Sequence, residues 1–195
     1  MYTQRQGKNK DRFVKLHEAS MNRHNADQRV VVLDIETTGL IPQRGHRIIE
    51  IGAVALHKGM ITAEFQSLIR VPRRIPQNVQ KIHGISDEML QESPEPEIVL
   101  SQFFDFIQQS IIVAHNVKFD LTFLKFELAR YGLSLTHPAI CTLELSRRLY
   151  PHLRNHKLDT VALHLLGQLP QDRQRHRALD DAQLTAKIWL AMEGR

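Results

Sequence analysis

The sequence predicts an α/β domain in which one mixed β-sheet is flanked by helices. Apolar, β-branched runs of strand length occur at "VVVLDIE" (30–36), "RIIEIGAVALHKG" (47–59) and "ITAEFQSLIRV" (61–71), joined by short connections. Later short runs, "IIVAHN" (111–116) and "AIC" (139–141), alternate with segments whose apolar residues recur at helical spacing. Three antiparallel strands followed by alternating strands and helices give a mixed sheet whose parallel strand ends gather at one edge.

The elements follow in order. Gly39 and Pro42 mark a turn after the first strand, and Lys58-Gly59 a hairpin turn between the second and third. Pro72 and Pro76 end the meander. "NVQKIHG" reads as a short helical turn closed by Gly84, and Ser86 as the N-cap of a second short helix through Leu90. The loop "ESPEPE" leads into a helix through Phe103, Phe104 and Ile107. Asn116 is placed to cap the helix "VKFDLTFLKFELARYG", with Leu121, Leu124, Leu128 and Tyr131 on its apolar stripe and Gly132 as its stop. Thr142 is expected to cap a helix that ends before Pro151. Another helix runs from about Leu158 to Leu166 and ends at Gly167, and the last spans about Ala178 to Met192.

A chain of 195 residues is long enough for one domain with a core of its own. At 42% hydrophobic and 24% charged, it is not collagenous or wholly disordered. Cys141 is the single cysteine, which excludes an intrachain disulfide framework and points to a reducing compartment. No apolar run approaches the roughly 18 residues of a spanning helix, and the polar start "MYTQRQGKNKDR" lacks a signal peptide's apolar core. The expectation is a soluble, cytoplasmic protein with no membrane partner. Residues 1–29 hold seven Lys or Arg against three Asp or Glu, whereas the remainder holds nineteen against eighteen. The basicity therefore lies in an N-terminal arm, residues 1–28, ahead of a domain at 29–195. Such an arm either meets an anionic partner such as nucleic acid or is a solvated tail, and Phe13, Val14 and Leu16 offer a third use, docking on a partner.

The first strand poses the chemical question. Side chains alternate along a strand, so Asp34 and Glu36 point to one face at its end. With no Lys or Arg in the stretch, such a pair sits either in open water or around a cation. Asp120 falls in the first turn of the helix after the 111–114 strand, near the same sheet edge. The last helix brings Asp180-Asp181, with His176 five residues before Asp181. Four carboxylates, Asp34, Glu36, Asp120 and Asp181, suit a hard cation such as Mg²⁺ or Mn²⁺ rather than zinc. Two such ions about 4 Å apart hold the attacking and leaving oxygens of a phosphoryl displacement, and an imidazole is the natural base for the attacking water. Phosphodiester hydrolysis is the leading chemistry. Taken singly, each residue has a plainer reading: strand-end carboxylates for Asp34 and Glu36, helix N-terminal acids for Asp120, Asp180 and Asp181, a loop histidine for His176 and a satisfied buried histidine for His115. Glu50, inside an apolar strand, reads either as a support for the cation site or as an edge or paired carboxylate.

In sequence order, "VVLDIETTGL", "HRIIEIGAVAL", "IHGISDEML", "VAHNVKFDLTFL" and "HRALDDAQLTAKIWL" resemble the motifs of the DEDDh 3′–5′ exonucleases. This DnaQ-like family includes the proofreading epsilon subunit of bacterial DNA polymerase III, and the resemblance spans roughly residues 29–193. It implies a ribonuclease H-like fold and removal of nucleoside monophosphates from the 3′ end of single-stranded DNA, in proofreading or repair. An exoribonuclease trimming RNA ends or short oligoribonucleotides is the alternative, and a non-catalytic accessory module a third reading. By motif, Asp34 would bridge two divalent cations, Mg²⁺ or Mn²⁺. Glu36 and Asp181 would bind the ion that holds the attacking water, Asp120 would help hold the other, and His176 would be the general base. "RQRHRALDD" contains no tyrosine, which marks the histidine subgroup. Thr37 and Leu40 match positions that meet the terminal nucleotide, with Leu40 as a wedge against the last base, and His83 of "IHGIS" matches a residue near the 3′ end. The chain stops at Arg195, directly after the last helix and without the segment by which epsilon joins the polymerase. A free-standing repair role therefore stands beside a polymerase-bound one.

Overall fold

The computed structural model of the chain describes residues 28–171 and 173–194. Residues 1–27, with the apolar set Phe13, Val14 and Leu16, lie outside the described residues. The strands β1 (Val30–Thr37), β2 (Ile48–His57), β3 (Met60–Leu68), β4 (Ile111–Ala114) and β5 (Ala139–Cys141) form one sheet in the order β3-β2-β1-β4-β5. β1 to β3 pair antiparallel, and β4 and β5 add on parallel to β1. This is the expected mixed sheet. Lys58 and Gly59 take φ of 52° and 75°, the left-handed pair that a two-residue hairpin turn requires.

Helices α1 (Gln77–His83), α2 (Asp87–Gln91) and α3 (Pro96–Ile107) connect β3 to β4, and α4 (Val117–Ala129) crosses from β4 to β5. α5 (Thr142–Leu149), α6 (Leu158–Leu166) and α7 (Ala178–Glu193) follow. Strand alternation sorts these helices onto two faces. Val31, Leu33 and Ile35 pack with Phe103 of α3 and Leu124 and Leu128 of α4. Val32 packs with Leu184, Ile188 and Trp189 of α7 on the other face. Asp34 and Glu36 share the parity of Val32, so they project toward α7. No helix among the described residues is long and apolar enough to cross a membrane.

Two caps differ from expectation. Asn116 stands at the N-cap of α4 in the left-handed conformation (φ 81°), and its side chain makes no capping bond. Capping geometry needs an extended backbone, which this turn does not provide. Thr142 is the first residue of α5 rather than its cap, a place taken by Cys141. The Thr142 hydroxyl is drawn instead to His115 Nδ1 at 3.0 Å. His115 Nε2 meets the carbonyl of His156 at 2.8 Å, so His115 is the satisfied histidine that was expected. Ser86 does cap α2, accepting the Met89 amide at 3.4 Å.

α7 lies directly on the sheet because of Gly52. A Cβ there would stand 2.1 Å from the backbone nitrogen of Leu179 and 2.2 Å from the carbonyl carbon of Ala178. Glu50, two residues earlier and fully buried, accepts the Ala178 amide at 3.1 Å. It thereby satisfies one of the free donors at the N-terminus of α7 and places negative charge at its positive end. We predict that Gly52→Ala destabilises the domain by about 3 kcal/mol, since a rigid backbone faces the added methyl. Denaturant unfolding checks this, and an unchanged midpoint would contradict the docking.

Candidate functional site

The elements converge at the edge where β1, β4 and β5 end. β1 carries Asp34 and Glu36. α4 holds Asp120 in its first turn, buried, its carboxylate accepting the Ile35 amide of β1. α7 holds the buried Asp181 in its first turn, and the loop before it carries exposed His176 in the left-handed conformation, φ 58°. One ligand atom from each of Glu36, His176 and Asp181 lies within 4.8 Å of the other two. Asp34 and Asp120 stand beside this triad, close enough to act on the same charges. Asp180 keeps its plainer place at the start of α7.

Gathering these acids perturbs all of them. Burial, then the charges of Asp120, Glu36, Asp181 and Glu50, push Asp34 well above the ordinary carboxylate range. Glu36 is pushed up to about 9, by burial first and then by Asp181, Glu50 and Asp120, with Arg177 opposing. Burial raises Asp120 to about 7, although the amides of Asp120 and Ile35 oppose the shift. Burial also raises Asp181, against the pull of Arg173. Such a set is short of positive charge, and carboxylate oxygens are the donors that Mg²⁺ or Mn²⁺ take. The residues therefore fit a divalent cation.

Three alternating arginines, which spacing did not single out, supply part of the missing charge. Arg173 donates through Nε to Asp181 at 3.0 Å, binds it again through Nη2, and reaches Asp159 at 2.5 Å. Arg175 binds the same Asp159 at 2.6 Å. Arg177 binds Glu50 through Nη2 at 2.8 Å and through Nε at 3.1 Å and 3.2 Å. Glu50 is thus a paired carboxylate rather than an edge one. It is also the cross-strand partner of Glu36, so Arg177 relieves a like-charge pair. The alternation of arginine in "DRQRHR" was the available signal.

The expected substrate contacts are placed separately. Thr37 is buried, and its hydroxyl donates to the Gly39 carbonyl at 2.7 Å. Leu40 is 77% exposed and borders a groove of about 260 Å³ with Lys118, Phe119 and Phe123. His83 is buried, and its Nδ1 accepts the Ile85 amide at 3.0 Å. Nε2 therefore carries the proton and has no partner within the described residues. Burial depresses the His83 pKa, with the charges of His176 and Arg177 acting the same way against Glu50.

The RNase T family model, described as Exonuclease, matches residues 31–189. The chain is 45% identical over 165 residues to the PolC-type DNA polymerase III of Thermotoga maritima, covering 84% of this chain and 12% of that protein. It is 38% identical over 179 residues to the DNA polymerase III subunit epsilon of Pasteurella multocida, covering 87% of this chain and 70% of that one. It thus spans a small part of the PolC-type polymerase and over two thirds of epsilon. The structure of Exonuclease X in complex with 5′ overhanging duplex DNA superimposes with a TM-score of 0.67 at 27% identity, covering 86% of this chain and 91% of that chain. The ribonuclease H-like architecture is therefore shared with a nuclease that binds DNA.

The raised carboxylates fix the sign of a pH effect. Folded, metal-free protein keeps a proton on Glu36 up to about 9, whereas an unfolded chain releases it near 4.5. The stability from this group is fully present below the unfolded value and is lost as pH rises toward 9. In EDTA, Tm is predicted to fall from pH 7 to pH 9, with Glu36→Gln flattening the fall and Mn²⁺ abolishing it. A metal-free Tm that rises across that window would contradict the charge cluster. Site, fold and the match over residues 31–189 agree: the chain belongs to the exonuclease family, as a DnaQ-like 3′–5′ exonuclease domain of the DEDDh type.

Proposed function

We propose that this domain removes nucleoside 5′-monophosphates one at a time from the 3′ end of single-stranded DNA, with His176 as general base. The observation that carries the reading is the meeting of Glu36, Asp181 and His176 within 4.8 Å, beside Asp34 and Asp120. When bound, two Mg²⁺ or Mn²⁺ ions held by Asp34, Glu36, Asp120 and Asp181 supply positive charge to the phosphoryl oxygens and the departing 3′-oxygen.

The chain's own residues do the rest. His176 takes a proton from the attacking water, whose oxygen bonds to phosphorus as the bond to the 3′-oxygen breaks. The shortened strand takes up a proton on its new 3′-hydroxyl, and the terminal nucleotide leaves as its 5′-monophosphate. The left-handed backbone at His176 is an uncommon conformation for a residue with a side chain, and it sets the ring at the rim of the cluster. Leu40, exposed beside Phe119, wedges against the last base. The buried, unpartnered Nε2–H of His83 is a donor for the 3′-terminal nucleotide, since an orphaned buried donor is costly unless a ligand meets it. The epsilon and PolC-type relatives favour DNA, and with it a role in proofreading or repair.

The test uses 3′- and 5′-labelled single-stranded DNA and RNA of one sequence with Mg²⁺, Mn²⁺ or EDTA. Mononucleotides should leave the 3′ end of DNA and stop with EDTA. Faster turnover of RNA would move the substrate to RNA, and no cleavage of either would sink the reading. Asp34→Ala should reduce cleavage to background. His176→Ala should slow it by about 10²- to 10⁴-fold while leaving Mn²⁺ binding intact. Full activity in either variant would overturn the assigned roles.

A further inference from the structure

We propose that a groove between the β1–β2 loop and the segment after β3 binds the phosphate backbone of the substrate strand, on the 5′ side of the cut. This rests on the exonuclease reading above and adds a second contact zone to it. The groove has a volume of about 740 Å³, with Arg73 and Arg74 on its wall.

Its charge is unbalanced. Arg47 is neutralised by buried Glu127, with contacts of 2.5 Å and 2.9 Å, and Arg70 is paired with Glu95. Asp87 accepts the Ile75 amide at 2.9 Å. Among the described residues, exposed Arg44, Arg73 and Arg74 have no carboxylate partner, and the lining carries the five arginines Arg47, Arg70, Arg73, Arg74 and Arg130 against Asp87, Glu88 and Glu95. Arg73 is held rather than loose. Arg73 Nη1 donates to the Arg44 carbonyl at 3.0 Å, and a Cβ on Gly45 would come within 2.9 Å of that nitrogen. Gly45 takes φ 79°, which lets the loop close beneath the guanidinium. Arg73 and Arg74 on one wall favour an anion, and guanidinium groups match phosphate geometry.

The location is within reach of a strand whose 3′ end lies at the carboxylates. Arg44 ends the turn Pro42–Arg44, four residues after the exposed Leu40 and eight after Glu36. Eight residues of chain bound the separation from Glu36 at about 29 Å. At 3.4 Å per stacked nucleotide, that is at most about nine nucleotides. One strand of that length or longer therefore reaches both places.

The test is the triple variant Arg44→Gln/Arg73→Gln/Arg74→Gln, compared with Arg147→Gln/Arg148→Gln/Arg154→Gln, which removes equal charge from exposed positions elsewhere. Substrates are a 20-mer and a p-nitrophenyl ester of thymidine 5′-monophosphate, each with Mn²⁺. The groove variant should raise KM for the 20-mer by roughly tenfold or more at 0.1 M salt and reduce the slope of log affinity against log salt by about 2. Its turnover of the ester should equal that of the unmodified protein. An unchanged KM and slope for the 20-mer would overturn the proposal, as would an equal loss in the comparison variant or on the ester. Failure of the unmodified protein to cleave the ester would instead remove the hydrolase reading, a separate result.

Discussion

The first turn of α7 rests on the backbone of β2, and the candidate site depends on that contact. Gly52 leaves the room for it, and Glu50 supplies the carboxylate that receives the Ala178 amide and the Arg177 guanidinium. The helix start is thereby fixed in height and rotation. Asp181 is three residues after Ala178 and His176 two before it, so both inherit their places from the same clamp. Removing Arg177 would leave the buried Glu50 carboxylate without its partner, a change that typically costs about 3–5 kcal/mol.

The same contact concentrates negative charge. Docking α7 brings Asp181 to Glu36, which already faces Glu50 across the strand pair and has Asp34 two residues behind it. Asp120 arrives independently, carried by α4 and held to β1 through the Ile35 amide. Arg173, Arg175 and Arg177 offset part of the charge, but Arg175 meets Asp159 and Arg177 is engaged by Glu50. The carboxylates left over have raised proton affinities because burial strips them of water and nothing in the described chain fully balances their charge. Carboxylate oxygens so gathered fit a divalent cation.

Much of this was legible in the sequence, and what was not has identifiable physical reasons. The period of two along β1 put Asp34 and Glu36 on one face, and that face is where α7 packs. The order of strands and helices gave the mixed sheet, because each run had a length and spacing that admitted one element type. The five-residue step from His176 to Asp181 placed the histidine outside the helix and the aspartate inside it. The caps at Asn116 and Thr142 were misread because a local rule cannot see a left-handed turn or a tertiary hydrogen bond. The Glu50–Arg177 pair joins residues 127 apart, and the Arg44–Arg73 contact joins residues 29 apart. Neither leaves a trace at short range; Glu50 showed only as a carboxylate out of place in an apolar strand.

The most direct measurement counts the protons released when Mn²⁺ binds at pH 7, by calorimetry in buffers of different ionisation enthalpy. Ligands must be deprotonated to bind a metal. Glu36, with its pKa at about 9, holds a proton in the metal-free protein at that pH, and Asp120, at about 7, holds about half of one. Release of at least one proton per protein is expected, reduced in Glu36→Gln. Binding without proton release would contradict it, because the carboxylates would then already be ionised and the cluster would not be waiting for a cation.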